Sequence, residues 1–345
     1  MDKINSESEA LAGKTLAASP MIIGHRGACA YFPEHTRGAY DLAFEQGADA
    51  VEPDIVVTQD GVLLIRHENE ISGTTNVAEF PEFAGRKRVK TVDGEKIRGW
   101  FAEDFTWEEL QRLSARERLP RLRPDSAVFD DSEGLLRLAD LLQLVDEWQA
   151  RVSRVLRVVI ELKHVRYFQE LGFDLPALLA QEFELAGWGE ADADRIIFEC
   201  FELSALVAVA RAGLPGKRVY LVTGEGYPAD AGWNGVPRRR SAWYLGARGL
   251  ELAAQVADGI SVPKQFVAKR GGRGRAQHSD LVRKAAQQGL EVYIWTLRAE
   301  REYLMPAFKK VGWLAEYRFL ISSGVSAVFA DHPDLALAAR NSLRA

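Results

Sequence analysis

Short apolar runs recur along the chain, mostly separated by stretches that carry apolar residues at helical spacing. A run of about four to eight apolar residues is typical of a strand buried on both faces. Strands that alternate with helices pair in parallel, because each helix returns the chain to the same end of the sheet. Eight such runs predict strands at residues 21–23, 50–54, 156–163, 195–200, 218–222, 258–262, 291–296 and 325–330.

This order predicts an α/β fold, a TIM (β/α)8 barrel. A doubly wound open sheet is the alternative, but it would lack the closing strand and usually has a glycine-rich phosphate loop. Residues 36–46 have helical spacing, and Gln59-Asp60-Gly61 predicts a hairpin turn. Residues 69–131 are charged, aromatic and irregular. We therefore expect a flexible tail over 1–20 and one barrel over 21–340, with 69–131 as a small insertion after strand 2.

Composition and charge exclude several classes of protein. The 345 residues are 47% hydrophobic and 27% charged, as in ordinary globular enzymes. The net charge of −5 argues against a general nucleic-acid binder, which needs a basic excess. No run approaches the ~20 apolar residues of a membrane helix, and residues 1–20 lack the apolar core of a signal peptide. We expect a cytoplasmic protein, or a periplasmic or secreted one if the N-terminus is processed or truncated.

Polar side chains are concentrated where the predicted strands end. His25 and Arg26 end the first strand. Glu52 and Asp54, two residues apart, share one face of the second, and the hairpin returns His67 towards them. Because functional groups of a TIM barrel lie at the carboxyl ends of its strands, these residues predict a site.

Glu161 and Lys163 end the third predicted strand with the same spacing. With Glu52 and Asp54, Glu161 makes an all-oxygen site for one hard divalent cation, Ca²⁺ or Mg²⁺. Without a cation, three clustered carboxylates would raise one another's pKa values. Arg26 and Lys163 suit a phosphate, while His25 and His67 can act as general acid and base. Together these groups indicate phosphodiester cleavage.

Simpler interpretations exist for each residue. A buried histidine is more often a structural residue whose ring nitrogens are hydrogen-bonded within the protein. Lys163 can pair with Glu161 as a plain salt bridge. A glycosidase can use paired carboxylates, but it does not need Arg26, Lys163 and two histidines around them. A non-catalytic binding protein would tolerate the loss of a histidine, and both are present.

Several motifs resemble those of the glycerophosphodiester phosphodiesterase family. They are Gly24-His25-Arg26-Gly27, Pro33-Glu34-His35-Thr36, Glu52-Pro53-Asp54, His67-Glu68, Glu161-Leu162-Lys163, Phe201, Trp295-Thr296 and Ala330-Asp331-His332-Pro333-Asp334. The resemblance covers residues 21–340, and the insertion is similar to that of the family's larger bacterial branch. The chain departs from the family at His35, where many members have Asn, and we interpret His35 as a structural residue.

The resemblance implies a metal-dependent barrel that hydrolyses glycerophosphodiesters, such as glycerophosphocholine or glycerophosphoethanolamine, to an alcohol and sn-glycerol 3-phosphate. The nucleophile is either a hydroxyl within the substrate, giving a cyclic phosphate, or water. A lysophospholipase D-like or other phosphodiesterase activity is the alternative. By position, the resemblance assigns His25 and His67 to acid–base catalysis, Arg26 and Lys163 to the phosphate, Glu52, Asp54 and Glu161 to the cation, and Phe201 and Trp295 to the pocket wall.

Overall fold

Parallel strands close into a barrel in the part of the chain that the structure, a computed structural model, describes: residues 19–272 and 275–344. With the interrupted second strand counted once, eight strands follow one another around the ring in chain order. The last strand pairs with the first, Ala327 beside Met21, which closes the ring. The predicted TIM barrel is therefore confirmed.

The barrel strands are β1 (Met21–His25), β2 (Ala50–Glu52) and β3 (Asp54–Val57), β7 (Arg157–Leu162), β8 (Ile196–Cys200), β9 (Lys217–Leu221), β10 (Gly259–Pro263), β13 (Glu291–Leu297) and β14 (Ala327–Ala330). The smaller strands are β4 (Leu63–Ile65), β5 (Arg88–Val92), β6 (Glu95–Gly99), β11 (Ala268–Arg270) and β12 (Ala276–His278).

Most helices lie between consecutive barrel strands along the chain, and two short ones lie in the segment 69–131. The helices are α1 (Arg37–Glu45), α2 (Trp107–Leu110), α3 (Pro124–Ala127), α4 (Leu138–Gln149), α5 (Val165–Glu170), α6 (Leu175–Ala186), α7 (Leu203–Arg211), α8 (Ala247–Ala253), α9 (Leu281–Ala286), α10 (Trp313–Ile321) and α11 (Pro333–Asn341). Helix α1 begins where predicted because the Thr36 side chain accepts a hydrogen bond from the Ala39 backbone N–H.

The hairpin after the second strand forms as predicted. Strand β4 runs antiparallel to β3, with Ile65 opposite Ile55, and Gly61 at φ 82° provides the left-handed turn. Residues 69–131 contain the β5–β6 hairpin and the short helices α2 and α3. The division of the chain into tail, barrel and insertion stays a prediction, and most of the tail, residues 1–18, lies outside the described residues.

Within the described ranges, no helix is both long enough and apolar enough to cross a membrane. The predicted cytoplasmic location stays a prediction. Cys29 and Cys200 are both buried free thiols.

Candidate active site

One layer of the barrel interior carries the candidate site. Beneath it, an apolar cluster inside the barrel is formed by Ile23, Ala50, Val159, Ile197, Val219, Tyr293, Ala327 and Phe329. Because side chains alternate across a strand, the residue two positions beyond each of these also points inwards. Seven of those next residues line one cavity of about 130 Å³: His25, Glu52, Glu161, Glu199, Leu221, Trp295 and Phe329. Arg26, His67 and Phe201 line the same cavity.

The three predicted cation ligands lie together at this level. Glu52, Asp54 and Glu161 are buried, and each offers a carboxylate oxygen within 4.8 Å of the others. Among the described residues, Glu52 Oε1 and Asp54 Oδ1 have no hydrogen-bond partner. Buried carboxylate oxygens without partners are costly, and hard divalent cations prefer oxygen ligands. The residues present therefore fit a divalent cation.

The carboxylates differ in charge state. Burial is the main reason that the pKa of Glu161 rises to about 8, and burial together with Asp54 raises the pKa of Glu52 well above its usual range. Burial also acts to raise the pKa of Asp54, but Lys163, His67 and His35 outweigh it and hold this pKa well below its usual range. The expectation that all three pKa values rise is therefore wrong for Asp54, because cationic and hydrogen-bonding neighbours surround it.

A second group of potential ligands does not suit a cation. His25, Cys29 and Asp331 also bring their ligand atoms within 4.8 Å of one another. However, Asp331 Oδ1 accepts a hydrogen bond from His25 Nδ1 at 2.7 Å, and Oδ2 accepts one from Arg123 at 2.5 Å. Both oxygens of Asp331 are thus occupied, so the group serves to orient His25.

Both candidate catalytic histidines are held through Nδ1 by a carboxylate. His25 bonds Asp331 as described, and His67 Nδ1 lies 2.5 Å from Glu68 Oε1. Because an ionised carboxylate only accepts, Nδ1 carries the proton in each ring and Nε2 remains for the substrate. Burial, and then Arg26, lowers the pKa of both histidines, that of His67 to about 3.

Of the two candidate phosphate-binding cations, Arg26 lines the cavity and Lys163 lies beside the carboxylate cluster. Arg26 donates through Nη1 to Glu34 at 3.0 Å, and its Nε lies 3.5 Å from Asp54 Oδ2. Lys163 Nζ lies 2.7 Å from Glu161 Oε1 and 3.4 Å from Asp54 Oδ1. The plain salt bridge between Lys163 and Glu161 is thus present, but it lies within the carboxylate cluster instead of on the surface.

The two predicted pocket aromatics meet edge to face. The rings of Phe201 and Trp295 are 6.0 Å apart at 85°, and Lys163 Nζ lies 5.8 Å from the centre of the Phe201 ring. A larger cavity of about 780 Å³ opens where the barrel strands begin, among Met21, Arg157 and other residues. That cavity lies at the end of the barrel away from the clustered functional groups, so its size does not make it the candidate site.

His35 lies directly beside the carboxylates. It is fully buried; its Nε2 bonds Asp54 Oδ2 at 2.9 Å and its Nδ1 bonds the Tyr40 hydroxyl at 2.7 Å. Burial lowers the pKa of His35 to about 4, so the ring is neutral near pH 7. It therefore donates to Asp54 and accepts from Tyr40, and leaves Asp54 Oδ1 free.

Glu199 is a member of this layer that the sequence analysis missed. It is 2% exposed, lies in register with Glu161, and its Oε2 has no hydrogen-bond partner in the described chain. Burial and then Glu161 raise its pKa well above its usual range. A charged residue two positions before Phe201 within an apolar strand was the available signal, because it matches the spacing of Glu161 and Lys163.

Comparisons with known proteins agree with this geometry. The Glycerophosphoryl diester phosphodiesterase family profile matches residues 25–335. A probable glycerophosphodiester phosphodiesterase of Mycobacterium tuberculosis is 30% identical over 287 residues, covering 83% of this chain and 85% of that protein. An Arabidopsis thaliana glycerophosphodiester phosphodiesterase is 42% identical over 119 residues, which is 34% of this chain and 32% of that protein.

Solved structures show the same fold at lower identity. A putative glycerophosphoryl diester phosphodiesterase of Silicibacter pomeroyi has a TM-score of 0.65 at 19% identity, covering 94% of each chain. An Oleispira antarctica phosphodiesterase, in complex with the product sn-glycerol-3-phosphate, has a TM-score of 0.58 at 20% identity, covering 93% of this chain and 97% of that one. With the family match across most of its length, the chain belongs to the glycerophosphoryl diester phosphodiesterase family.

Proposed function

We propose that this protein hydrolyses glycerophosphodiesters to an alcohol and sn-glycerol 3-phosphate, with one divalent cation, Ca²⁺ or Mg²⁺, at Glu52, Asp54 and Glu161. The observation that carries the proposal is the convergence of Glu52, Glu161, Arg26 and two carboxylate-held histidines on one barrel cavity. Asp54 and Lys163 lie directly beside these carboxylates. The M. tuberculosis relative is named for this activity, and the O. antarctica structure contains its product.

The phosphate is bound by positive charge. Arg26 and Lys163 are each 7% exposed, so little water screens them from a bound phosphate. Their fixed contacts with Glu34, Asp54 and Glu161 hold both cations in place before the substrate arrives, which lowers the cost of reorganisation. The cation would neutralise the carboxylates and polarise the phosphoryl oxygens.

The two histidines divide the proton transfers. With Nδ1 of each ring held by Asp331 or Glu68, Nε2 is the nitrogen that takes or gives a proton. One ring, unprotonated at Nε2, accepts the proton of the nucleophile. The other ring, which must also carry a proton on Nε2 at this step, donates that proton to the departing alkoxide. Our hypothesis for the nucleophile is the glycerol hydroxyl next to the ester, which gives a cyclic phosphate that water then opens. A 2-deoxy substrate cleaved at an undiminished rate would exclude this route.

The neighbouring space suits a small polar group. A second cavity of about 210 Å³ shares Glu161, Lys163 and Phe201 with the candidate site. Its lining includes Asp93, His164 and Glu202 beside apolar residues such as Leu162, Leu221 and Pro228. Charged and hydrogen-bonding side chains are a poor lining for an acyl chain. We therefore expect a short alcohol, such as choline or ethanolamine, to be preferred over a lysophospholipid.

A substrate panel tests the proposal. Purified protein, loaded with Ca²⁺ or Mg²⁺ in separate series, is assayed with glycerophosphocholine, lysophosphatidylcholine and an aryl glycoside. We expect cation-dependent cleavage of glycerophosphocholine, with the lysophospholipid slower and the glycoside uncleaved. Preferred cleavage of the lysophospholipid would favour the lysophospholipase D-like alternative, and cleavage of the glycoside alone would overturn the proposal.

A further inference from the structure

Two arginines five positions apart, Arg118 and Arg123, lie between β6 and α3 and reach the candidate site from the irregular segment. Each contacts the carboxylate that holds one of the two catalytic histidines. Both arginines lie in one short segment, whereas His25 ends strand β1 and His67 follows strand β4. One segment therefore contacts the supports of both histidines.

Arg118 supports the His67 side. Its guanidinium bonds both oxygens of Glu68, at 2.9 and 2.6 Å, and Glu68 holds His67 Nδ1. It also bonds both oxygens of Glu34, at 2.7 and 2.6 Å, and Glu34 bonds Arg26. The Glu68 side chain is 36% exposed, so without Arg118 little would fix its orientation.

Arg123 supports the His25 side. Its Nη2 bonds Asp331 Oδ2 at 2.5 Å, and Asp331 Oδ1 holds His25 Nδ1 at 2.7 Å. The remaining donors of Arg123 bond Glu300 at 2.7 Å and the Cys29 carbonyl at 3.1 Å. The Arg123 side chain is only 6% exposed, so this arrangement is rigid compared with that of Arg118.

We propose that Arg118 and Arg123 are positioning residues that keep Nδ1 of both catalytic histidines protonated and hydrogen-bonded, with Nε2 directed to the substrate. This inference rests on the proposed function. Arg118 binds Glu68 in a bidentate manner, which fixes a carboxylate in both position and plane. Arg123 donates one bond to Asp331 Oδ2, which also lies 2.9 Å from Arg298 Nε. A fixed carboxylate in turn selects which ring nitrogen carries the proton, as the carboxylate does in a Ser-His-Asp triad. Their loss should lower kcat more than it raises KM, because proton transfer is sensitive to small displacements.

The variants are Arg118→Met and Arg123→Met, with Arg118→Lys and Arg123→Lys as conservative forms. Arg116→Met is the matched control. Arg116 lies in the same segment and also bonds two carboxylates, Glu79 and Asp131, neither of which touches a histidine. Circular dichroism and thermal unfolding establish the folded fraction of each variant, and the lysine forms serve if a methionine form does not fold.

Each variant is assayed for kcat and KM with two substrates. Glycerophosphocholine needs a proton on its departing alkoxide, whereas glycerol 3-(p-nitrophenyl phosphate) releases p-nitrophenolate without one. We expect kcat for glycerophosphocholine to fall by about 10- to 100-fold in both methionine variants and to stay at the wild-type level in Arg116→Met. Replacing the arginine that supports the general acid should lower kcat much less with the p-nitrophenyl substrate than with glycerophosphocholine. Replacing the other arginine should lower kcat by a similar factor with both substrates.

The double variant Arg118→Met/Glu68→Gln separates the His67 route from the route through Glu34 and Arg26. We expect its kcat loss to be no greater than that of Glu68→Gln alone, because Arg118 then acts on His67 only through Glu68, whereas a larger loss would reveal the route through Glu34. The inference is overturned if Arg118→Met and Arg123→Met behave like Arg116→Met, or if they raise only KM and lose the same factor with both substrates. A wild-type enzyme that cleaves neither substrate would contradict the proposed function instead.

Discussion

Replacing His35 tests how the carboxylate cluster is organised. His35→Leu keeps an apolar side chain of similar size but removes the donor to Asp54 Oδ2 and the acceptor for the Tyr40 hydroxyl. Both partners are buried, at 0% exposure. The change therefore leaves two polar groups in the interior without their main partner, directly beside the candidate cation site.

The magnitude follows from those contacts. A buried polar group that loses its partner costs about 1–3 kcal/mol. Among the described residues, Asp54 Oδ2 then has only Arg26 Nε nearby, at 3.5 Å, so the cost of its lost hydrogen bond lies towards the upper end of this range. The Tyr40 hydroxyl can still donate to the Glu52 backbone carbonyl at 3.5 Å, so the cost of its lost hydrogen bond lies towards the lower end. The free energy of unfolding should fall by about 2–4 kcal/mol, and cation affinity should fall by about 10- to 100-fold because Asp54 is no longer fixed.

The assay is a titration of glycerophosphocholine hydrolysis with free Ca²⁺ or Mg²⁺, paired with urea unfolding of each variant. Tyr40→Phe is the control, because it removes the hydroxyl that His35 accepts from and leaves the His35–Asp54 contact. It should lose about 0.5–1.5 kcal/mol and keep the wild-type cation midpoint. His35→Asn supplies an amide donor in place of the ring N–H, so its cation midpoint should lie between those of the wild type and His35→Leu. An unchanged midpoint in folded His35→Leu would refute the view that His35 orients Asp54.

Two further predictions concern other buried groups. Lys264→Met removes the partner of the buried Glu316 carboxylate, 2.6 Å away, and should lower the free energy of unfolding by roughly 3–5 kcal/mol in a urea titration; a loss below about 1 kcal/mol would contradict an uncompensated buried charge. Glu199→Gln replaces a carboxyl group beside Glu161 that a bound cation would favour in its ionised form, so the cation midpoint for activity should rise by about 10-fold while KM at saturating cation changes little. A Glu199→Gln enzyme with the wild-type midpoint would show that Glu199 does not act on the cation.

The sequence predicted those parts of the fold that depend on local pattern. Each barrel strand is an apolar run bounded by turns or helices, so all eight were found near their observed bounds. The Asp-Gly turn likewise predicted the β3–β4 hairpin, because Gly61 is needed for its left-handed conformation. Glu52 and Glu161 were found because carboxylates at strand ends stand out in an apolar context.

The contacts that support the candidate site from outside it were not predicted. Glu199 lies inside an apolar strand, and only the register of the closed barrel places it beside Glu161. Arg118 and Glu68 are 50 residues apart, and Arg123 and Asp331 are 208 residues apart. Arg118 and Arg123 lie in a segment without periodicity, so no spacing rule connects them with their carboxylates. The supports of the site had to come from the structure, whereas its central groups could be predicted from the sequence.

The most direct test measures sn-glycerol 3-phosphate release from glycerophosphocholine, with and without EDTA, for the wild-type chain and for His67→Ala. The account predicts release that EDTA abolishes and that added cation restores. In folded, cation-loaded His67→Ala, loss of one acid–base group should slow release by about 10²- to 10⁴-fold. Release that persists in EDTA, or that is undiminished in His67→Ala, would contradict the proposed cation-assisted, histidine-dependent cleavage.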